Sequence, residues 1–293
     1  MNFLSYLISG ISLGSVYALI ALGYTMVYGI AKMLNFAHGD VIMIGGFVVF
    51  TAISSSATSP AIAIICGIVV CTLLGVVIEK IAYKPLRNAT PLAVLITAIG
   101  VSYLLQNIAL LVFGSASKNF PDIFKNMPDW HVTEGLTVSG VTIITIVVTV
   151  IIMIGLTLFI QFTKPGTAMQ AVSEDRGAAQ LMGVSVNSTI SLTFAIGSAL
   201  AAVASVLLCS AYPLLNPYTG AMPGIKAFVA AVFGGIGSIP GAVIGAFLIG
   251  ICENIIKGME LTVFSNAFTF VLLIIILMVK PTGLFGEKNI DKV

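Results

Sequence analysis

Between Thr163 and Asn187 the chain reads TKPGTAMQAVSEDRGAAQLMGVSVN, and this polar interruption decides the fold. Charge-free apolar runs flank it, from Gly135 to Phe162 and from Val184 to Ile225. Each exceeds the ~20 residues that cross a hydrocarbon core. Inside the interruption, Glu174 to Leu181 carries charges and alanines at helical spacing. Ser173 is the expected N-cap, Glu174 and Asp175 the acidic first turn, and Gly183 the stop. The reading is a short helix outside the bilayer, joining two spans. A shorter connector would reverse the chain, so this helix is expected to dock something.

Working outward, 58% of the 293 residues are hydrophobic and only 8% charged, against about 25% charged in soluble domains. Mean hydropathy is +1.12. This is the composition of an all-α polytopic membrane protein forming a single domain over residues 1–293. The net charge of +2, with no basic stripe, argues against a nucleic-acid partner. Cys66, Cys71, Cys209 and Cys252 lie in or beside apolar runs and form neither a disulfide framework nor a metal site. The opening MNFLSYLISG has no basic segment and no cleavage site before its apolar run, so an uncleaved first span is expected.

By length and hydropathy, spans are expected near Leu4–Ile30, Val41–Ser54, Ala61–Ala82, Pro91–Phe113, Ser139–Phe162, Ser188–Tyr212, Ile239–Ile256 and Phe264–Val279, with a short piece at Gly224–Gly235. The bundle therefore has eight or nine membrane-embedded helices. Lys80, Lys84 and Arg87 place the loop Glu79–Thr90 in the cytoplasm. The loop Gly114–Val138, with Lys118 and Lys125 against Asp122, Asp129 and Glu134, faces outside. That puts the Glu174 helix in the cytoplasm and the N-terminus outside. Nine passes put the C-terminus, with Lys280, Lys288 and Lys292, inside; eight would put it outside. Nine is preferred, because one helix of ~33 residues would be ~50 Å long.

Leu34–Val48 and Leu215–Val229 match at an offset of 181 in Leu34/Leu215, Asn35/Asn216, Gly39/Gly220, Ile44/Ile225, Phe47/Phe228 and Val48/Val229. An odd number of spans between them makes this an inverted repeat, the first copy about 4–113 and the second about 188–281. Each copy holds an interrupted segment, LNFAHGD at Leu34–Asp40 and YPLLNPYTGAMPG at Tyr212–Gly224. Such breaks in both halves point to a transport path, with Asn35, His38, Asn216 and Tyr218 as its candidate residues. The asparagines either bind substrate or satisfy neighbouring backbone. His38 serves as a structural histidine or a proton relay, and Asp40 caps the next helix or pairs with Lys32.

Gly237, Gly241 and Gly245 recur every four residues, with Gly234 and Gly235 just ahead, as a small-residue ridge for close helix packing. No G-x-x-x-x-G-K-[ST] string occurs, and GISLG at Gly10–Gly14 lies inside a span rather than on a nucleophile turn. The chain is read as a transport subunit and not an enzyme. Glu79, Glu253, Glu260 and Lys226 are expected near span ends, their charged heads snorkelling to water. The driving energy is then expected to come from elsewhere.

The central stretch resembles the cytoplasmic EAA loop of bacterial ABC-importer membrane subunits. Ala178, Ala179 and Gly183 keep its Ala-Ala-x-x-x-Gly register, while Gly177 stands where the glutamate belongs and Glu174 and Asp175 lie one turn earlier. LNFAHGD, NPYTG (Asn216–Gly220), KAFVAAVFGGIGSIPGA (Lys226–Ala242) and KPTGLFG (Lys280–Gly286) are similar to stretches of LivH-type branched-chain amino-acid permeases. The resemblance implies a coupling element at 163–187 that uses Glu174, Asp175, Arg176, Gly177, Ala178, Ala179, Leu181 and Gly183. It implies a homologous second permease, two ATP-binding subunits holding ATP and Mg, and an extracytoplasmic solute-binding protein. No cofactor is expected on this chain. Leucine, isoleucine and valine are the implied cargo, with urea or short amides as the alternative on the same scaffold. A secondary carrier or channel without an ATPase is the rival class. The implied location is the bacterial cytoplasmic (inner) membrane.

Overall fold

The computed structural model describes residues 3–56, 59–124, 127–133 and 136–286. Lys125, Glu134, Lys288 and Lys292, used above for orientation, lie outside them. Eleven α-helices are present among the described residues: α1 Phe3–Ala31, α2 His38–Ser56, α3 Pro60–Ile78, α4 Pro91–Phe113, α5 Gly140–Phe162, α6 Lys164–Glu174, α7 Arg176–Leu181, α8 Val186–Ala211, α9 Ala221–Gly234, α10 Ile239–Gly258 and α11 Ser265–Val279. A wider π-type turn at Glu79–Tyr83 and a 3₁₀ turn at Lys84–Leu86 extend α3. Hydroxyl side chains start several helices by accepting free backbone N–H groups, Ser139 for α5, Thr163 for α6 and Ser238 for α10.

α1 and α8 form the centre, and nearly every residue of α1 from Leu13 to Val27 is covered. α3, α4, α5 and α11 turn large apolar side chains outward, among them Ile65, Leu73, Leu104, Leu111, Ile151, Ile154, Ile274 and Met278. Water would penalise that surface by ~25 cal/mol per Å²; lipid does not.

Packing repeats between the halves. α1 packs on α10 as α8 packs on α3, α1 on α9 as α8 on α2, and α1 meets α8 while α2 meets α9. These are the pairings that a two-fold relation between the halves requires, with α5 as the odd helix between them.

Among the described residues, eight helices are long and apolar enough to cross a membrane. The ninth, α9, has 14 residues, about 21 Å at 1.5 Å per residue, and joins opposite faces only together with the extended segment before it. Just before it, Leu214–Leu215 (β4) pairs antiparallel with Lys118–Asn119 (β1). Beyond its other end, Gly237 lies against Gly29, close to the last turn of α1. Leu284 and Phe285 there donate backbone N–H groups to the Phe233 and Gly234 carbonyls. The segment after α11 therefore shares a face with α7, whereas Tyr6 in the first turns of α1 packs by Gly258 on the β1 face. An odd number of crossings results.

Several expectations are corrected. The central stretch holds two helices, not one. Asp175, with extended backbone, breaks them and caps α7, while the Ser173 hydroxyl turns back to donate to the Gln170 carbonyl. Gly237 lies in the turn before α10 at φ +102°, so the ridge of that helix is Gly241 and Gly245 alone. Asp40 bonds Gln106 (2.9 Å) rather than Lys32. Glu79, Glu253 and Lys226 are buried in ion pairs and do not snorkel.

Candidate functional site

Two places stand out: the loop around α7 and the meeting of the two interrupted segments. Asp175 Oδ1 accepts the Gly177 and Ala178 N–H groups at 2.7 and 3.0 Å, which fixes the start of α7. At its end Gly183 takes φ +84°, and Val184 N–H reaches back to the Ala179 carbonyl at 2.9 Å. That is a Schellman closure, and it needs a residue that tolerates positive φ.

Between these stops α7 is held from inside. Ala179 is only 4% exposed, and Arg176 donates through Nη2 to the Ala31 carbonyl at the end of α1. Among the described residues the opposite face has no partner: Gly177 and Ala178 are exposed, Leu181 is 90% exposed and Met182 84%. Positions three and four apart share a helix face, so these residues form one small apolar knob. Glu174, at the end of α6, is exposed beside it.

The second place lies inside the bundle. Gly39, in the first turn of α2, abuts Gly220 immediately before α9. A Cβ on Gly39 would stand 2.6 Å from the Gly220 carbonyl oxygen, and one on Gly220 would overlap the Gly39 carbonyl. The matched glycines of the two repeats thus touch each other. Asn35 is buried and accepts the Tyr83 hydroxyl at 2.9 Å. Asn216 Oδ1 accepts the Tyr218 N–H at 2.8 Å, and its own N–H donates to Thr219 Oγ1. Each asparagine pins its own loop, and Tyr218 is exposed. The buried His38 ring lies edge-on to Tyr24, with centroids 4.7 Å apart, in the space a side chain on Gly23 would fill. Among the described residues its Nε2 has no hydrogen-bond partner, nor has the hydroxyl of Thr25.

Gly234, Gly241 and Gly245 set the crossing of α9 and α10, where carbonyls stand in the space of the absent side chains. Gly235 receives the backbone of Gly286.

Sequence reasoning missed two buried carboxylates. Glu253 gathers Lys226 Nζ (2.7 Å), Lys257 Nζ (2.7 Å) and the Tyr17 hydroxyl (3.0 Å), tying α10 to α9 and α1. Glu79 holds Arg87 on one oxygen and Ser191 (2.6 Å) on the other, tying the end of α3 to α8. Each carboxylate of a third helix therefore grips the first helix of the other half. The i, i+4 spacing of Glu253 and Lys257 was visible in the sequence; the reach of Lys226 across the α9–α10 hairpin was not.

Two hollows adjoin these latches. One of about 490 Å³ lies on the α7 face between the α3 extension and α7–α8. One of about 170 Å³ lies on the β1 face, lined by Tyr17, Tyr212 and Lys257 among others. Among the described residues no three of His, Cys, Asp or Glu gather as a metal site.

Fold and site together define an all-α multi-pass membrane protein whose two interrupted segments meet inside the bundle, an arrangement suited to a transporter. Comparison with known proteins specifies it further. Residues 6–277 match the family described as "Branched-chain amino acid transport system / permease component", and the chain belongs to that family. It is 44% identical to the high-affinity branched-chain amino acid transport system permease protein LivH of Salmonella typhimurium, over all of this chain and 98% of that protein. The corresponding BraD permease protein of Pseudomonas aeruginosa is 43% identical over the same shares. Among solved structures, PsaBC from Streptococcus pneumoniae in complex with Fab aligns with TM-score 0.50 at 16% identity, covering 96% of this chain and 93% of that one. That last likeness concerns the fold alone.

Proposed function

We propose that this chain is the membrane-spanning permease subunit of an ATP-driven importer of branched-chain amino acids. It would pair with a homologous second permease, two ATP-binding subunits and an extracytoplasmic solute-binding protein in the bacterial cytoplasmic membrane. ATP and Mg would sit on the partner subunits. The observation that carries the coupling is the exposed Leu181–Met182 knob on a helix whose other face is clamped by Ala179 and Arg176. An apolar knob with no partner in its own chain and a rigid base suits a partner's groove. The names of the full-length relatives support the cargo.

The mechanism follows from what α7 grips. A push on the knob reaches Ala31 through Arg176 and hence the end of α1, which also packs on α6, α8, α9 and α10. Tilting α1 and α8 shears the Gly39–Gly220 contact, where the broken helices meet. The path opens toward the α7 face while the binding protein releases its ligand at the β1 face. On this reading α7 and the segment after α11 are cytoplasmic, and the start of α1 is outside.

The test is uptake of labelled leucine by proteoliposomes containing the assembled subunits and the binding protein. Uptake that requires hydrolysable ATP and is displaced by isoleucine and valine, but not by urea or acetamide, supports the proposal. Displacement by urea would move the cargo to the amide alternative. Uptake by the permease alone, driven by an ion gradient, would make the chain a secondary carrier.

A further inference from the structure

The 490 Å³ hollow on the α7 face is lined by Lys84, Arg87, Asn88, Arg176, Gln180 and Asn187, among others. Three cations and three carboxamides line it, and no carboxylate does. The nearby Glu79 carboxylate is already engaged on both oxygens, by Arg87 and Ser191. Arg87 spends Nη1 on Asn187 and Nη2 on Glu79, which leaves Nε buried without an acceptor. What faces the hollow is the pair of guanidiniums, Arg87 and Arg176, with no carboxylate in the lining, so an anion seated between them would relieve their mutual repulsion. Burial and the Arg87 guanidinium, in that order, hold Arg176 below its ordinary value.

We propose that this hollow binds a phosphate group, presented by an anionic lipid headgroup or as a free phosphate. Guanidinium forks match phosphate oxygens, and Lys84 adds a mobile point charge. The hollow lies where α3 ends and α8 begins, at the level of lipid headgroups if these helices span the bilayer. Exposed Ile81 and Leu92, close in sequence to the lining residues Lys84 and Asn88, offer apolar surface for acyl chains. A phosphate bridging Arg87 and Arg176 ties the α3 extension to α7, so its occupancy sets how firmly the presumed coupling helix is braced. The site itself stands whether or not α7 docks an ATPase.

The experiment uses the full chain, purified in uncharged detergent, and reads affinity from the unfolding midpoint during titration. The arms are inorganic phosphate against chloride at equal ionic strength, and short-chain phosphatidylglycerol against phosphatidylcholine. Each basic residue near such a headgroup contributes about a factor of five. Lys84→Gln and Arg176→Gln should therefore each weaken binding about fivefold; exposed Lys84 keeps the test valid if Arg176→Gln fails to fold. A response to phosphatidylglycerol alone assigns a lipid headgroup, and a response to phosphate as well assigns free phosphate. Equal responses to phosphatidylcholine and phosphatidylglycerol, no response to any anion, or binding unchanged in both variants would overturn the proposal.

Discussion

Replacing Glu253 with leucine should be among the most damaging single changes in the chain. The carboxylate is 2% exposed and neutralises Lys226, itself 6% exposed, at 2.7 Å. Without it the Lys226 ammonium is left in the interior with no counter-charge, which costs about 3–5 kcal/mol. Lys226→Met should cost less, about 1.5–3 kcal/mol for one charged hydrogen bond, because Lys257 and Tyr17 remain on Glu253. In the double variant no charge is stranded on α9, and Lys257, a third exposed, can turn to water. The double variant should then lose less than the sum of the two single losses, by a coupling energy of about 1–3 kcal/mol. Denaturant unfolding of the detergent-purified chain and its three variants measures this cycle. A Glu253→Leu loss below about 1 kcal/mol, or strictly additive losses, would refute the claim that this pair is a buried latch.

Three further outcomes are expected. Gly220→Ala should prevent accumulation of folded protein in the membrane, because its Cβ overlaps the Gly39 carbonyl; normal expression would mean that the two repeats do not meet there. Gly183→Ala, forced to φ +84°, should lower stability by about 1–2 kcal/mol in the same unfolding assay. Tyr83→Phe strands the buried Asn35 acceptor and should cost about 1–3 kcal/mol, while leaving any cargo preference unchanged; a changed preference would put Asn35 on the path.

The spans were legible because long charge-free runs allow few alternatives, and Pro91–Phe113 falls where hydropathy put it. The pairing of the halves was visible only as six matched residues. The contact between the two matched segments, at Gly39 and Gly220, depends on tertiary approach that no periodicity encodes. Ser173 and Asp175 are both good cap formers, and the choice between them rests on α6 being anchored by buried Gly166, Met169 and Val172, which carries helix through Ser173 to Glu174. Ala179, counted above in the coupling element, faces inward, so Ala179→Arg would damage the chain's own packing rather than isolate docking. The charges near span ends misled because snorkelling and burial look alike until a neighbouring helix supplies the counter-ion.

The central claim is that α7 passes ATPase motion to the spans through its exposed knob. The direct measurement compares wild type with Leu181→Asp/Met182→Asp, both residues being free of intrachain burial. Unfolding midpoint, recovery of ATP-binding chains on gentle purification, and ATP-dependent leucine uptake are read on the same preparations. The account predicts an unchanged midpoint with loss of both recovery and uptake. A variant that retains its ATP-binding chains and transports normally would contradict it.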